Sequence, residues 1–252
     1  MIEIFILSFI QGFSEFLPIS SSSHLILVSN YFSFTNKDLS IDVSLHIGSF
    51  LAVIVYFRNE IFLFVKNKDL FLKIIVASIP TMIVGYILVK YNLIDQLRNI
   101  KMIGWTTLIF GFLLYLADKF ENKKNLNTNL NYKSVIFIGL MQIFSLIPGV
   151  SRSGVTITAA RFLNFKRFDS AKISFLFSIP TLGAVSLFGL DNLVSSNNFQ
   201  FSLTNLIATS LSFIFSLITI KYFLKYLKSF SLVIFVLYRV ILGMIILIFA
   251  YL

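Results

Sequence analysis

The sequence predicts an all-α polytopic membrane protein, with six transmembrane helices plus two re-entrant helical hairpins in an inverted-topology repeat. Composition is the first reason, because 57% of the 252 residues are hydrophobic and only 13% are charged. The mean hydropathy is +0.89, far above that of a soluble domain of this length. Long apolar runs recur along the whole chain, and polar residues that follow a proline interrupt two of them. Cysteine is absent, which excludes disulfides and thiolate metal ligands.

Six apolar segments are predicted to cross the bilayer. Each is about 16–21 residues long, close to the ~20 residues that a helix needs to span the hydrocarbon core. They are residues 41–57, 72–90, 102–117, 171–190, 205–221 and 231–251.

Two further apolar stretches, 1–29 and 134–163, are interrupted near their middles. The first contains Pro18 followed by four serines, and the second contains Pro148-Gly149 followed by Ser-Arg-Ser. Non-helical backbone at membrane depth is tolerated only where protein buries it or where it lines a wet cavity. We therefore expect each stretch to form a re-entrant helical hairpin.

The order of elements predicts a repeat within a single membrane domain, 1–252. One hairpin and three spans fill residues 1–117, and the same order recurs in 134–252 after a polar linker, 118–133. The tetrapeptide SIPT also occurs once in each half, at 78–81 and at 178–181. Because three is an odd number of spans, the second half would enter the membrane from the opposite side.

Loop charges predict the orientation. Loops 30–40 and 191–204 carry one and no basic residue, so we place them outside together with both chain termini. Loop 91–101 contains Arg98 and Lys101 and disagrees with this alternation. Basic residues concentrate in the connections that we assign to the cytoplasm, which are 58–71, 118–133, 161–172 and 221–230. Topology thus accounts for much of the net charge of +10, and no nucleic-acid partner is expected.

The first broken stretch collects polar groups suited to phosphate chemistry. Gln11 and Glu15 are four residues apart and share a helix face, and Pro18 ends that helix. A new helix is expected to begin in the run Ser20-Ser21-Ser22, with His24 on the same face as Ser21. Helix N-termini favour phosphate oxygens because their N–H groups are free. Alternatively, Glu15 pairs structurally with a basic residue, the serines only cap and pack, and His24 is an interhelical donor.

The second broken stretch has the same design. Ser151, Arg152 and Ser153 open its second helix, and Thr156 lies four residues after Arg152. A guanidinium among hydroxyls matches the geometry and charge of a phosphate. The alternative is that Arg152 snorkels or forms a structural pair. His46, near the outer end of a span, is expected to be structural.

These residues resemble motifs of the undecaprenyl-diphosphate phosphatases of the bacitracin-resistance (BacA) type. That family has Glu or Gln four residues before a Glu, followed by F-L-P-[IV]-S-S-[ST]-x-H, and here the motif runs from Gln11 to His24. Its second motif, P-G-x-S-R-S-x-x-T, is matched completely from Pro148 to Thr156. The resemblance covers essentially the whole chain. Ser23 stands where the family usually has Gly, and Gln11 leaves Glu15 as the only carboxylate of its motif.

The resemblance implies a fold and an activity. The fold is an inverted repeat of re-entrant and spanning helices in the bacterial cytoplasmic (inner) membrane, with the site open to the periplasm or exterior. The implied reaction converts undecaprenyl diphosphate to undecaprenyl phosphate and inorganic phosphate, which recycles the cell-wall carrier lipid and confers bacitracin resistance. A divalent cation, Mg²⁺ or Ca²⁺, is the implied cofactor. The partners are then the lipid diphosphate and membrane lipids, and a homo-oligomer stays open.

The resemblance also suggests roles for these residues. The catalytic group would be Glu15, Ser21, His24 and Arg152, with Glu15 and Gln11 holding the metal ion. Ser21, activated by His24 or Glu15, is the first choice of nucleophile; His24 itself and a water activated by Glu15 are the alternatives. Substrate binding would fall to Gln11, Ser20, Ser22, Ser151, Ser153 and Thr156.

Three other hypotheses compete with a phosphatase of this type. A polyprenyl-lipid flippase or transporter could use the same inverted-repeat scaffold. The acid-phosphatase-like lipid phosphatases need S-R-x5-H, but Thr158 stands where that histidine should be, so this class is set aside. A purely structural membrane protein would leave Glu15 and Arg152 at membrane depth without a purpose.

Overall fold

A computed structural model of the chain describes residues 1–31, 39–63, 68–91, 93, 97, 99–195 and 202–252. All the extended regular elements in these ranges are helices, and one isolated bridge joins Lys124 to Phe165. The prediction of an all-α protein is confirmed.

Helices α1 to α6 form the first half of the described chain. They are α1 (Ile2–Ser14), α2 (Ser21–Tyr31), α3 (Leu39–Tyr56), α4 (Arg58–Leu63), α5 (Lys68–Lys90) and α6 (Ile100–Asp118).

The second half begins with a single helical turn in the polar linker and continues through five longer helices. They are α7 (Leu126–Asn129), α8 (Tyr132–Gln142, extended by a 3₁₀ turn over Ile143–Leu146), α9 (Arg152–Phe162), α10 (Arg167–Ser195), α11 (Leu203–Tyr226) and α12 (Val233–Tyr251).

Within the described residues, six helices are long and apolar enough to cross a membrane: α3, α5, α6, α10, α11 and α12. They match the six predicted spans, so the chain is a multi-pass membrane protein. Several predicted segments were shorter than the helices, most of all 171–190, because α10 has 29 residues and continues beyond the apolar segment at both ends. Polar residues do not stop a helix when neither proline nor a cap follows them.

Most of the packing joins one half of the chain to the other. Helix α11 packs on α3 and α1, α12 packs on α6, and α10 packs on α3 and α5. Glycines permit some of these close approaches, since a Cβ at Gly12 would lie 2.4 Å from the Cβ of Phe215. Small residues at helix contacts are the usual means by which helices approach closely in a bilayer.

Both broken stretches contain a serine in the left-handed backbone region. Ser20 (φ 73°) directly precedes α2, and Ser151 (φ 69°) directly precedes α9. Such a conformation costs a non-glycine residue of order 1 kcal/mol and persists only when the surroundings impose it. In both stretches, therefore, a serine with a left-handed backbone conformation directly precedes the second helix.

Candidate active site

The carboxylate of Glu15 lies just beyond the end of α1 and receives two side-chain donors from the first broken stretch. Its Oε2 accepts hydrogen bonds from Ser21 Oγ at 2.8 Å and from Gln11 Nε2 at 3.2 Å. The side chain of Glu15 is only 7% exposed. The predicted sharing of one helix face by Gln11 and Glu15 is thus realised as a direct contact.

Arg152 joins this carboxylate to the second broken stretch. Its Nη2 donates to Glu15 Oε1 at 3.2 Å and to the Glu15 carbonyl at 3.3 Å, and its Nη1 donates to the Ser174 carbonyl at 3.2 Å. The side chain of Arg152 is 11% exposed. The structure therefore brings together two motifs that lie 137 residues apart in the sequence, in one buried ion pair.

Hydroxyl groups of the second stretch hold the two stretches against each other. Ser153 Oγ donates to the carbonyl of Leu17 at 2.7 Å, across the two breaks. Ser151 Oγ accepts from the backbone N–H of Gly154 at 3.1 Å and caps α9. Of the hydroxyls that were predicted to bind substrate, these two are bound to the protein itself.

Two other predicted binding residues also have partners within the protein. Thr156 Oγ1 donates to the Arg152 carbonyl at 2.8 Å and lies 2.7 Å from Ser174 Oγ, so it packs α9 against α10. Ser20 Oγ lies 2.9 Å from Ser23 Oγ. Ser22 is part of α2, but its side chain lies outside what the structure describes.

His24 lies apart from the ion pair in the described contacts. Its Nδ1 is 2.6 Å from the Ser20 carbonyl and its Nε2 is 2.5 Å from the hydroxyl of Tyr238, whose ring stacks on the imidazole. Because a carbonyl only accepts, Nδ1 carries the proton, and in the neutral ring Nε2 accepts from Tyr238. Of the two activators considered for Ser21, the structure places Glu15 at its hydroxyl.

His46 belongs to a polar chain that runs from Gln11 into α3 and α11. Gln11 Nε2 is 3.2 Å from His46 Nδ1 and 3.5 Å from Ser49 Oγ. Ser49 continues to Ser212 at 3.2 Å and Ser216 at 3.0 Å. The structure thus gives His46, which we expected to be structural, a contact with a predicted site residue.

Sequence reasoning missed the contribution of α12. Tyr238 contacts His24, and the neighbouring Arg239 donates to backbone carbonyls in both broken stretches. Arg239 is the one arginine in a span whose mean hydropathy is 2.8. An ionisable residue at such a position is costly and usually functional, so this signal was present in the sequence.

Oxygen ligands for a divalent cation are available at the first stretch. Gln11 Oε1 is buried and has no hydrogen-bond partner among the described residues, and it belongs to the side chain that contacts the Glu15 carboxylate. Carboxylate and amide oxygens are ligands that Mg²⁺ and Ca²⁺ accept. The described residues contain no group of three or more His, Cys, Asp or Glu side chains able to hold a metal. The residues fit a cation that takes few ligands from the protein and the rest from water or phosphate oxygens.

Residues 4–245 match the family described as "Bacitracin resistance protein BacA". The chain is 50% identical over 252 residues to the "Undecaprenyl-diphosphatase" of Pelagibacter ubique (strain HTCC1062), covering 100% of this chain and 98% of that protein. It is 38% identical over 264 residues to the protein of the same name from Jannaschia sp. (strain CCS1), covering 100% of this chain and 99% of that protein. The chain therefore belongs to the BacA family.

Proposed function

We propose that this protein hydrolyses undecaprenyl diphosphate to undecaprenyl phosphate and inorganic phosphate, and so recycles the cell-wall carrier lipid and confers resistance to bacitracin. The names of its relatives support this activity. The single observation that carries it is the buried Glu15–Arg152 pair, which joins two broken apolar stretches with Ser21 bound to the carboxylate. A lipid diphosphate needs such a polar site within reach of the bilayer.

The two broken stretches are re-entrant hairpins of an inverted repeat in this proposal. The packing is symmetric in the way that such a repeat requires: α1 lies on α11 as α8 lies on α5, and α3 lies on α11 as α10 lies on α5. Ser20 and Ser151 support the same correspondence, because each has a left-handed backbone conformation directly before the second helix of its stretch. The diphosphate would bind where the two hairpins meet, with the polyprenyl tail between the helices.

Arg152 is the principal phosphate ligand. Its guanidinium already faces an anion, Glu15 Oε1, and a diphosphate oxygen can take up the same type of contact. In the transition state of phosphoryl transfer, negative charge is spread over the equatorial oxygens, and a fixed guanidinium stabilises it. Ser153 and the N–H groups that open α2 and α9 would supply further donors.

Ser21 is the proposed nucleophile, and Glu15 is its base. Ser21 Oγ attacks the terminal phosphorus, its proton passes to Glu15 Oε2, and the bridging P–O bond breaks to release undecaprenyl phosphate. The proton on Glu15 leaves with undecaprenyl phosphate, which restores the carboxylate. Water then attacks the phosphoserine, its proton passes to Glu15, and Glu15 protonates Ser21 Oγ as inorganic phosphate is released. The 2.8 Å contact between Ser21 and Glu15 supports this order. Attack by His24, or by water activated by Glu15, are the alternatives.

Glu15 and Gln11 are the residues that would hold a Mg²⁺ or Ca²⁺ ion. When bound, the ion would supply positive charge to phosphate oxygens during the reaction. Gln11 contributes a neutral oxygen, so the net charge that the protein brings to the ion comes from Glu15 alone.

The bacterial cytoplasmic (inner) membrane is the proposed location, with the site facing the periplasm or exterior. A surface cavity of about 630 Å³ brings the polar linker together with two of the three other basic connections, 161–172 and 221–230, through Asn125, Lys166 and Lys228. These connections therefore share one face of the protein, as cytoplasmic loops should. The cavity contains none of the predicted site residues.

Phosphate release from undecaprenyl diphosphate by the purified protein in detergent tests the function. We expect release that EDTA abolishes, that Mg²⁺ or Ca²⁺ restores and that Arg152→Ala abolishes. Arg58→Ala, which removes an exposed guanidinium at the start of α4, is the matched control and should retain activity. If folded wild-type protein releases no phosphate with either cation, the proposal fails and a polyprenyl-lipid flippase on the same scaffold takes its place.

A further inference from the structure

Arg239 on α12 is fully buried, and among the described contacts it donates four hydrogen bonds, each to a backbone carbonyl. Its Nη1 donates to Pro18 at 3.3 Å and to Val150 at 3.0 Å, and its Nη2 donates to Gly149 at 2.9 Å. Its Nε donates to Thr107 in α6 at 3.2 Å. Within the described residues it has no carboxylate partner. One guanidinium therefore contacts both broken stretches and a spanning helix.

Three of the four carbonyls that Arg239 binds, those of Pro18, Gly149 and Val150, lie at the breaks and outside any described helix. Pro18 lies two residues before the strained Ser20, and Val150 lies one residue before the strained Ser151. Where no bulk water is present, such carbonyls must find donors within the protein. The five N–H donors of an arginine lie in one rigid plane, so a single side chain can satisfy several of them at fixed relative positions.

Two glycines make room for this guanidinium. A Cβ at Gly154 would lie 2.8 Å from Arg239 Nη1, and a Cβ at Gly111 would lie 3.1 Å from the Cβ of Arg239. Gly154 belongs to the second broken stretch, and Gly111 belongs to α6. The side chain therefore reaches the breaks through a narrow passage that admits few alternative positions.

We infer that Arg239 is a positioning residue: it fixes the first break against the second and so sets the distance between Ser21–Glu15 and Arg152. The inference rests on the proposed function for its catalytic consequence. Arg239 is 0% exposed and its described donors all point to backbone, so it acts without touching the substrate. Ser153 and the Glu15–Arg152 pair also cross between the breaks, but Arg239 donates to a backbone carbonyl beside each of the two strained serines.

Kinetics of Arg239→Met and Arg239→Lys test the catalytic consequence. Displacements of about 1 Å at a reacting centre cost of order 100-fold in rate. We expect Arg239→Met to lower kcat by about 100-fold and to change KM by less than about threefold, since the phosphate ligand Arg152 is retained. Arg239→Lys, whose ammonium has three donors, should recover part of the loss.

A cross-linking readout tests the position itself, independently of hydrolysis. Leu17 and Ser153 touch across the breaks, and the chain has no cysteine, so a Leu17→Cys/Ser153→Cys pair can be joined by a short bifunctional thiol reagent. We expect Arg239→Met to reduce the cross-linked fraction several-fold. Arg161→Met is the matched control, because Arg161 is also 0% exposed and binds backbone carbonyls, but at the linker end.

The outcomes separate the two proposals. The positioning role would be overturned if Arg239→Met kept wild-type cross-linking and a kcat within about threefold of wild type. If the Met variant does not fold, the same result in Arg239→Lys would overturn it. Equal losses of kcat and cross-linking in the Arg161 and Arg239 variants would also overturn it, because they would indicate general destabilisation. If wild-type protein releases no phosphate while the cross-linking contrast persists, the proposed function fails and the positional role stands.

Discussion

Replacement of Ser21 by alanine distinguishes a nucleophile from a hydrogen-bond donor by the size of the effect. Ser21 Oγ makes one described hydrogen bond, at 2.8 Å to the Glu15 carboxylate. Loss of one charge-assisted hydrogen bond costs about 1.5–3 kcal/mol, or roughly 10- to 150-fold in rate. Loss of a covalent nucleophile costs of order 10⁶-fold in kcat in well-studied hydrolases. We expect Ser21→Ala to fall in the second range.

The assay is release of inorganic phosphate from undecaprenyl diphosphate at saturating substrate, over times long enough to detect a 10⁵-fold loss. Ser153→Ala is the matched control, because it removes the same atom from the opposite break, where the hydroxyl donates to the Leu17 carbonyl at 2.7 Å. It should lose no more than roughly 100-fold. A Ser21→Ala protein whose loss is no larger than that of Ser153→Ala would refute Ser21 as the nucleophile and leave His24 or water.

Three further perturbations have expected outcomes. Glu15→Gln leaves the buried Arg152 cation without its partner and should destabilise the protein by about 3–5 kcal/mol in chemical unfolding, and a second change, Arg152→Met, should restore most of the loss. Gly12→Ala places a Cβ 2.4 Å from the Cβ of Phe215 on α11 and should lower the unfolding temperature. Gly85→Ala is the control, because its Cβ meets only an ordinary contact at 3.5 Å. Equal effects of the two variants would contradict the close packing of α1 on α11. Gly149→Ala must adopt φ +94° with its Cβ 2.0 Å from a threonine hydroxyl of α6, and an unchanged unfolding temperature would contradict that geometry.

Sequence reasoning located the spans and the two broken stretches because both depend on local chemistry. Length and hydropathy determine whether a helix can cross a bilayer, and proline followed by polar residues marks a break in one. The contact between the Gln11 and Glu15 side chains also follows from helical spacing alone, because they lie four residues apart. The ends of α10 were placed less well, since propensity rather than bilayer thickness determines where a helix stops.

Contacts between distant segments could not be predicted in the same way. Helical spacing suggested that Ser21 and His24 share a face, and the structure adds that Ser21 binds Glu15 whereas His24 binds Tyr238 of a distant helix. The substrate-binding roles of Ser151 and Thr156 stay predictions, although both side chains already have partners within the protein. Nothing in a single sequence specifies which helix lies beside which break, and so the role of Arg239 emerged only from the packing.

The packing of each half against the other has a consequence for how the protein is made. Helix α1 packs on α11, and the Pro18 carbonyl of the first break accepts from Arg239 in α12, which is synthesised after the other described helices. At about 5–20 residues per second, the 137 residues from Glu15 to Arg152 take roughly 7–27 s to synthesise, and the 221 residues from Pro18 to Arg239 take roughly 11–44 s. The N-terminal half is therefore an unfinished insertion intermediate throughout synthesis. Two separately expressed halves should assemble into an active protein only when both are present in the same membrane.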